Sequence, residues 1–216
     1  MTRLRLGVLV SGRGSNLQAL IDAAADPAFP AEMAIVVSNV ADAPALDRAR
    51  QAGIATCTLP HRDFASRADF DAAVDRALAE AGVGLVCLAG FMRLLTPGFV
   101  DRWHDRMVNI HPSLLPAFKG LHPQQQALDA GVRVSGCTVH FVRNAMDAGP
   151  IIVQAVVAVL PHDSADILAD RILAAEHAAY PLAVRLIAEG RVRVEAERVV
   201  VEGADWSAGP LLLPRT

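Results

Sequence analysis

Cysteine is scarce in this chain and badly spaced for chemistry. Cys57, Cys87 and Cys137 are odd in number, far apart, and form neither a C-x-x-C pair nor a metal-ligand spacing. That argues against a disulfide framework and leaves three small buried hydrophobes in a reduced compartment. An H-E-x-x-H pair and a Cys/His cluster are also missing, so no metal site is expected. Basic excess is lacking too. The formal net charge is −3, which gives no footprint for nucleic acid. No apolar run is long enough to span a membrane. No signal-type segment with a cleavage site precedes the first strand at Leu4. Internal repeats, low-complexity blocks and linkers are absent. The expectation is a cytoplasmic protein of 216 residues folded as one domain, with no nucleic-acid or membrane partner.

What is present is an alternation of strand and helix patterns. Leu4–Val10 is a nearly continuous apolar run, as in a strand buried on both faces. A glycine turn follows, then a helical pattern from Leu17 to about Ala25. Met33–Ser38, Ala55–Leu59, Leu85–Leu88 and Met107–Ile110 read as further strands. Between them lie helices at Ala43–Ala52, closed by Gly53, and Asp63–Ala81, ending at Gly82. This order predicts an α/β fold with a mostly parallel central sheet and helices on both faces. Farther on, Leu121–Asp129 reads as a helix, and Cys137–Val142 and Ile151–Val159 as strands. Asp163 is the expected N-cap of a long helix, Ser164 to about Ala188, which Pro181 should break or kink. Arg191–Glu195 and Arg198–Glu202 form an expected hairpin, followed by a loosely packed tail from Trp206.

The stretch Met107–Pro116 carries the strongest chemical signal. A strand-like run ends in Asn109-Ile110-His111-Pro112, and the proline pushes His111 toward extended geometry. Ligands of open α/β sheets bind at strand ends. Residues two apart on a strand share a face, so Asn109 and His111 together form a donor pair for an oxygen becoming an oxyanion. Taken alone, a strand-ending His reads first as a hydrogen-bonding partner for a neighbouring loop.

Three other segments add to it. Ser11-Gly12-Arg13-Gly14-Ser15-Asn16 joins a strand to a helix, where backbone N–H groups cradle a phosphate. It is not a dinucleotide fingerprint, because Leu17 stands at the third glycine, and it has no Gly-Lys-Ser/Thr. A monophosphate on a small substrate fits it, with a plain tight turn as the alternative. Ala89–Leu95 follows the fourth strand and reads as an apolar pocket wall or as loop core. Asp147 precedes Gly149-Pro150; it is a local turn former unless it faces His111, where a carboxylate favours the charged imidazole. Of the other histidines, His61, His104 and His162 are expected at the surface. His122 and His140 stay open between structure and site, and His177 is expected to have a local partner on its helix.

In combination these segments resemble the folate-dependent glycinamide ribonucleotide formyltransferases, in order and over nearly the whole chain. The Asn109–Pro116 motif alone indicates only the wider formyltransferase superfamily; Glu176-His177-Ala178-Ala179-Tyr180-Pro181 also matches. The resemblance implies a Rossmann-like formyltransferase fold. It also implies transfer of a formyl group from 10-formyltetrahydrofolate, a cosubstrate, to the amine of phosphoribosylglycinamide in purine biosynthesis. It implies His111, Asn109 and Asp147 as the catalytic set. Gly14, Ser15, Asn16 and Leu173, Ala174, Ala175 and Glu176 take the nucleotide. Arg67, Met92, Arg93, Leu94, Leu95, Asn109, Arg143, Asn144, Ala145, Met146 and Asp147 take the folate. Residues up to about 105 form the nucleotide half and about 106–202 the catalytic and folate half. The partners are small molecules, and the chain is a monomer or homodimer. Two departures, Ala148-Gly149-Pro150 for Gly-Gly-Pro and Asn144-Ala145-Met146 before the aspartate, bear on the shape of the folate loop. The rivals are a 10-formyltetrahydrofolate deformylase, with an added regulatory domain expected, a tRNA formyltransferase, with an added basic domain expected, and a non-catalytic nucleotide-binding module.

Overall fold

A computed structural model describes residues 2–205. Strands β1 (Leu4–Val10), β2 (Ala31–Ser38), β3 (Thr56–Thr58), β4 (Leu85–Leu88), β5 (Met107–His111), β6 (Val134–Phe141) and β7 (Ile151–Ala158) form one sheet in the order β3-β2-β1-β4-β5-β6-β7. The pairs from β3 through β5 are parallel, and β6 and β7 add antiparallel. The helices are α1 (Ser15–Ala25), α2 (Pro44–Gln51), α3 (Arg67–Glu80), α4 (Pro97–Arg102), α5 (Pro123–Asp129) and α6 (Ala165–Ala188). A separate hairpin, β8 (Val192–Glu195) and β9 (Arg198–Val201), follows.

Strand alternation sorts the core into two layers. Leu6, Val8 and Val10 of β1, Leu85 and Cys87 of β4, and Val108 and Ile110 of β5 pack with α1, α2 and α6. Leu9, Val86, Leu88 and Met107 face the other way, onto Phe70, Val74 and Leu78 of α3 and Phe99 of α4. Both faces are therefore covered, which is why these strands read as continuous apolar runs. Burial pushes the Cys87 and Cys137 thiols up to about 12, as inert core residues. No helix among the described residues is long and apolar enough to cross a membrane.

Some boundaries differ from expectation. Helix α3 begins at Arg67 and not Asp63, because Ser66 is extended and its hydroxyl accepts from Asp69 N–H. A short 3₁₀ turn, His61–Asp63, precedes it. Ser164 caps α6 in place of Asp163, whose carboxylate is taken by Arg171 at 2.6 and 2.9 Å and by Leu160 N–H. Helix α6 also runs on through Pro181. An interior proline costs about 3 kcal/mol. Ala179, Tyr180, Ala183 and Val184, all but fully buried around it, supply the tertiary packing that outweighs this. The expected tail from Trp206 lies outside the described residues.

Candidate active site

Strands β1, β4 and β5 are parallel neighbours, so their C-terminal ends open on one rim of the sheet. At the end of β1 the chain turns through the glycine loop into α1. Gly14 is left-handed (φ 74°) at the N-cap, and a Cβ there would stand 2.6 Å from the Cβ of Ala45. This glycine is thus required by its backbone and by α2. Gly12 differs: nothing lies within 4 Å of where its Cβ would be. Residues 11–16 with Ala89, Gly90 and Met92 line a cleft of about 320 Å³.

Asn16 turns across this cleft's base toward α6. Its Nδ2 donates to Glu176 Oε2 at 2.7 Å, which fixes its Oδ1 as an acceptor, buried and without a partner among the described residues. Glu176 is itself buried, and burial raises its pKa against the opposing hydrogen bond from Asn16. Of the Leu173–Glu176 segment, Glu176 is the residue bonded to the loop. Leu173 and Ala175 are half-buried and Ala174 is exposed.

Asn109 and His111 lie on the face of β5 opposite Val108 and Ile110. The β5–β6 register places His140 directly across from Asn109, so this histidine shares their face. The His140 Nδ1 meets the Phe141 carbonyl at 2.9 Å, which can only accept. Nε2 is then left to accept from Asn109 Nδ2 at 3.4 Å. Burial lowers the His140 pKa, against the raising pull of its Phe141 contact and of Asp147, and the neutral ring orients the Asn109 amide. His111 is buried, with Nε2 3.0 Å from the Phe118 carbonyl and Nδ1 3.6 Å from Asp147 Oδ2. Asp147 occupies a left-handed turn position (φ 49°) and its Oδ2 also accepts from Gly120 N–H at 2.9 Å. The turn-forming and the imidazole-facing readings of this residue are therefore both true.

The remaining expected residues are spread around this centre. Met92 is 79% exposed, and its N–H is held by Ser11 Oγ at 2.8 Å. Leu94 is exposed and Leu95 packs into the core layer under α3. The Arg93 guanidinium lies 4.8 Å over the Phe70 ring. Arg67 is exposed at the start of α3, with no hydrogen bond or ion pair among the described residues. Arg143 is bound to Asp105 at 2.6 Å and to Glu197 at 2.8 Å, and Asn144 to Asp101 at 3.1 Å. Ala145 and Met146 are exposed, Met146 beside Gly120. His122 is exposed, whereas His61, expected at the surface, is half-buried against Asn39. His177 lacks the expected local partner, since its buried Nε2 bonds to no described residue. Sequence reasoning did not assign Ser11, Gly12 and Arg13 to the cleft and left His140 undecided; strand register was the signal that decides the latter. Among the described residues no three His, Cys, Asp or Glu gather as a metal site.

The chain is similar to several known proteins. Residues 4–184 match the model of the formyl transferase family. The chain is 44% identical to phosphoribosylglycinamide formyltransferase of Escherichia coli, over 98% of this chain and 97% of that protein. It is 52% identical to the trifunctional purine biosynthetic protein adenosine-3 of Drosophila melanogaster over 90% of this chain, but spans only 15% of that relative's length. Glycinamide ribonucleotide transformylase 1 from Symbiobacterium toebii superposes with a TM-score of 0.90 at 50% identity, over 92% of this chain and 94% of that one. A formyltetrahydrofolate deformylase from Pseudomonas syringae also superposes, with a TM-score of 0.85, at 28% identity over 93% of this chain and 66% of the other. With a family match across most of its length and a full-length relative at this identity, the chain belongs to the formyl transferase family.

Proposed function

We propose that this formyltransferase moves the formyl group of 10-formyltetrahydrofolate to the amine of 5′-phosphoribosylglycinamide, releasing tetrahydrofolate. The observation that carries the reading is the meeting of Asn109, His111, His140 and Asp147 on one face at the end of β5, beside a cleft built from a helix-opening glycine loop. The amine nitrogen attacks the formyl carbon, whose oxygen becomes an oxyanion. The Asn109 amide and the His111 imidazolium stabilise that oxygen. The Phe118 carbonyl at one ring nitrogen and the Asp147 carboxylate at the other hold the His111 ring in place. The C–N10 bond then breaks, and a proton lost by the amine reaches N10.

The glycine loop receives the phosphate on backbone N–H groups and the positive end of α1, with Ser15 as a hydroxyl donor. Asn16 Oδ1 and Glu176 present acceptors to the N–H groups of the glycinamide part, which explains a buried oxygen otherwise left without a donor. The folate lies against Met92–Leu95 and the Arg143–Asp147 loop, with Arg67 at its outer margin. Both halves of the chain thus contribute to one cleft.

The test is a spectrophotometric assay of tetrahydrofolate formation with and without phosphoribosylglycinamide. Product only with the nucleotide is expected. Equal rates without it would make the protein a deformylase, and no turnover in either arm would make it a binding module.

A further inference from the structure

Ser11 opens the glycine loop, directly after β1. Its hydrogen bonds lead out of that loop. Ser11 Oγ is 2.6 Å from Asn39 Oδ1, an oxygen that only accepts, so the single hydroxyl hydrogen of Ser11 is committed there. Asn39 is buried just past the end of β2, and its backbone carbonyl accepts from His61 N–H at 3.4 Å and faces His61 Nδ1 at 3.2 Å. With its hydrogen committed, Ser11 turns a lone pair outward, and Met92 N–H donates to it at 2.8 Å. The Ser11 backbone N–H adds a second tie, to Gly90 O at 3.2 Å. Ser15, in the same loop, has a hydroxyl with no partner among the described residues. Two serines of one loop therefore face different tasks.

The segment that Ser11 holds needs holding. Gly90 is left-handed (φ 71°), and Met92 and Leu94 are 79% and 61% exposed. Large apolar side chains kept out in solvent contribute nothing to fixing their own backbone. We propose that Ser11 is a positioning residue for the folate side of the cleft, clamping the Gly90–Met92 backbone through the chain Asn39–Ser11–Met92. This rests on the proposed seating of folate against Met92–Leu95.

The experiment compares Ser11→Ala with Ser15→Ala in the full-length enzyme. Loss of one hydrogen bond to the pocket wall should raise the folate KM about three- to tenfold in S11A. The nucleotide KM should stay within about twofold of the parent. S15A should show the reverse split, and Ser11→Thr, which keeps the hydroxyl, should restore the folate KM. A general loss of packing would raise both constants together. Should S11A not fold, Ser11→Cys, a similar shape with a weak hydrogen-bonding sulfur, reads the same split. The Met92 amide, followed by hydrogen exchange without any ligand, should exchange faster in S11A. An unchanged Met92 exchange rate overturns the proposal whatever the catalysis, as does a nucleotide KM that rises as far as the folate KM. Failure of the proposed function itself would show differently, as absence of turnover in the parent.

Discussion

Asp147 shows how one residue satisfies a local and a tertiary demand. Asp and Asn both tolerate a left-handed backbone, and either side chain offers an oxygen to Gly120 N–H. Asp147→Asn therefore keeps the turn and removes only the charge facing His111. With the midpoint of thermal unfolding nearly unchanged, kcat should fall on the order of 10²-fold or more; a near-normal rate would reduce Asp147 to its turn. The glycine loop permits a similar separation. Gly12→Val projects into open cleft and should raise the nucleotide KM on the order of tenfold or more while leaving stability near the parent's. Gly14→Val meets Ala45 and a left-handed backbone, and should cost stability, about 1–3 kcal/mol, before it says anything of binding. Urea unfolding beside steady-state kinetics distinguishes the two. Equal losses of stability would contradict the different surroundings of these glycines.

At the scale of elements, α6 is tied to the rim of the sheet by one hydroxyl. Tyr180 is fully buried, and its OH lies 2.9 Å from the Leu88 carbonyl and 3.3 Å from the Val108 carbonyl. The same helix carries Glu176 to Asn16, so the tether sets the depth at which the carboxylate meets the loop. Tyr180→Phe leaves those carbonyls without this donor and should destabilise the fold by about 1–3 kcal/mol. The nucleotide KM should rise, since Glu176 rides on the helix that this tether seats. Denaturant unfolding with that constant checks this, and a variant as stable as the parent would remove the tether's significance. Pro181, one residue on, was expected to break or kink this helix. It does not break it, because the residues flanking it are core residues in the packed molecule.

For the molecule as a whole, two buried titrating groups pull stability in opposite directions. His140 has its folded pKa lowered from 6.5, chiefly by burial. Below about pH 6.5 the unfolded chain takes the proton first, so this contribution is full above that pH and is lost as pH falls toward the folded value. Glu176 is raised from 4.5, again by burial. Its contribution is full below about pH 4.5 and is lost as pH rises through the folded value. Unfolding midpoints measured from pH 5 to 8 should drop less steeply on the acid side in His140→Gln than in the parent. A slope unchanged by that substitution would mean His140 does not titrate in the neutral form described.

The sequence alone determined the strand order along the chain, the helices other than α4, the parallel core and the motif segments, because apolar period, glycine turns and His-Pro geometry are local properties; α4 is too short, at six residues, to show a helical period. It also reached Asn109 and His111 as a pair, since alternation along one strand needs no partner. What only the tertiary structure decided is whatever depends on two distant segments meeting. The β5–β6 register brought His140 to Asn109. The packing of α6 on α1 closed Asn16 onto Glu176, and the ends of β1 and β4 lying side by side turned Ser11 from the glycine loop toward Met92. Hydrogen bonds between residues far apart in the chain leave no periodic trace in it. Their partners are fixed by register and layer packing, which exist only once the sheet has formed.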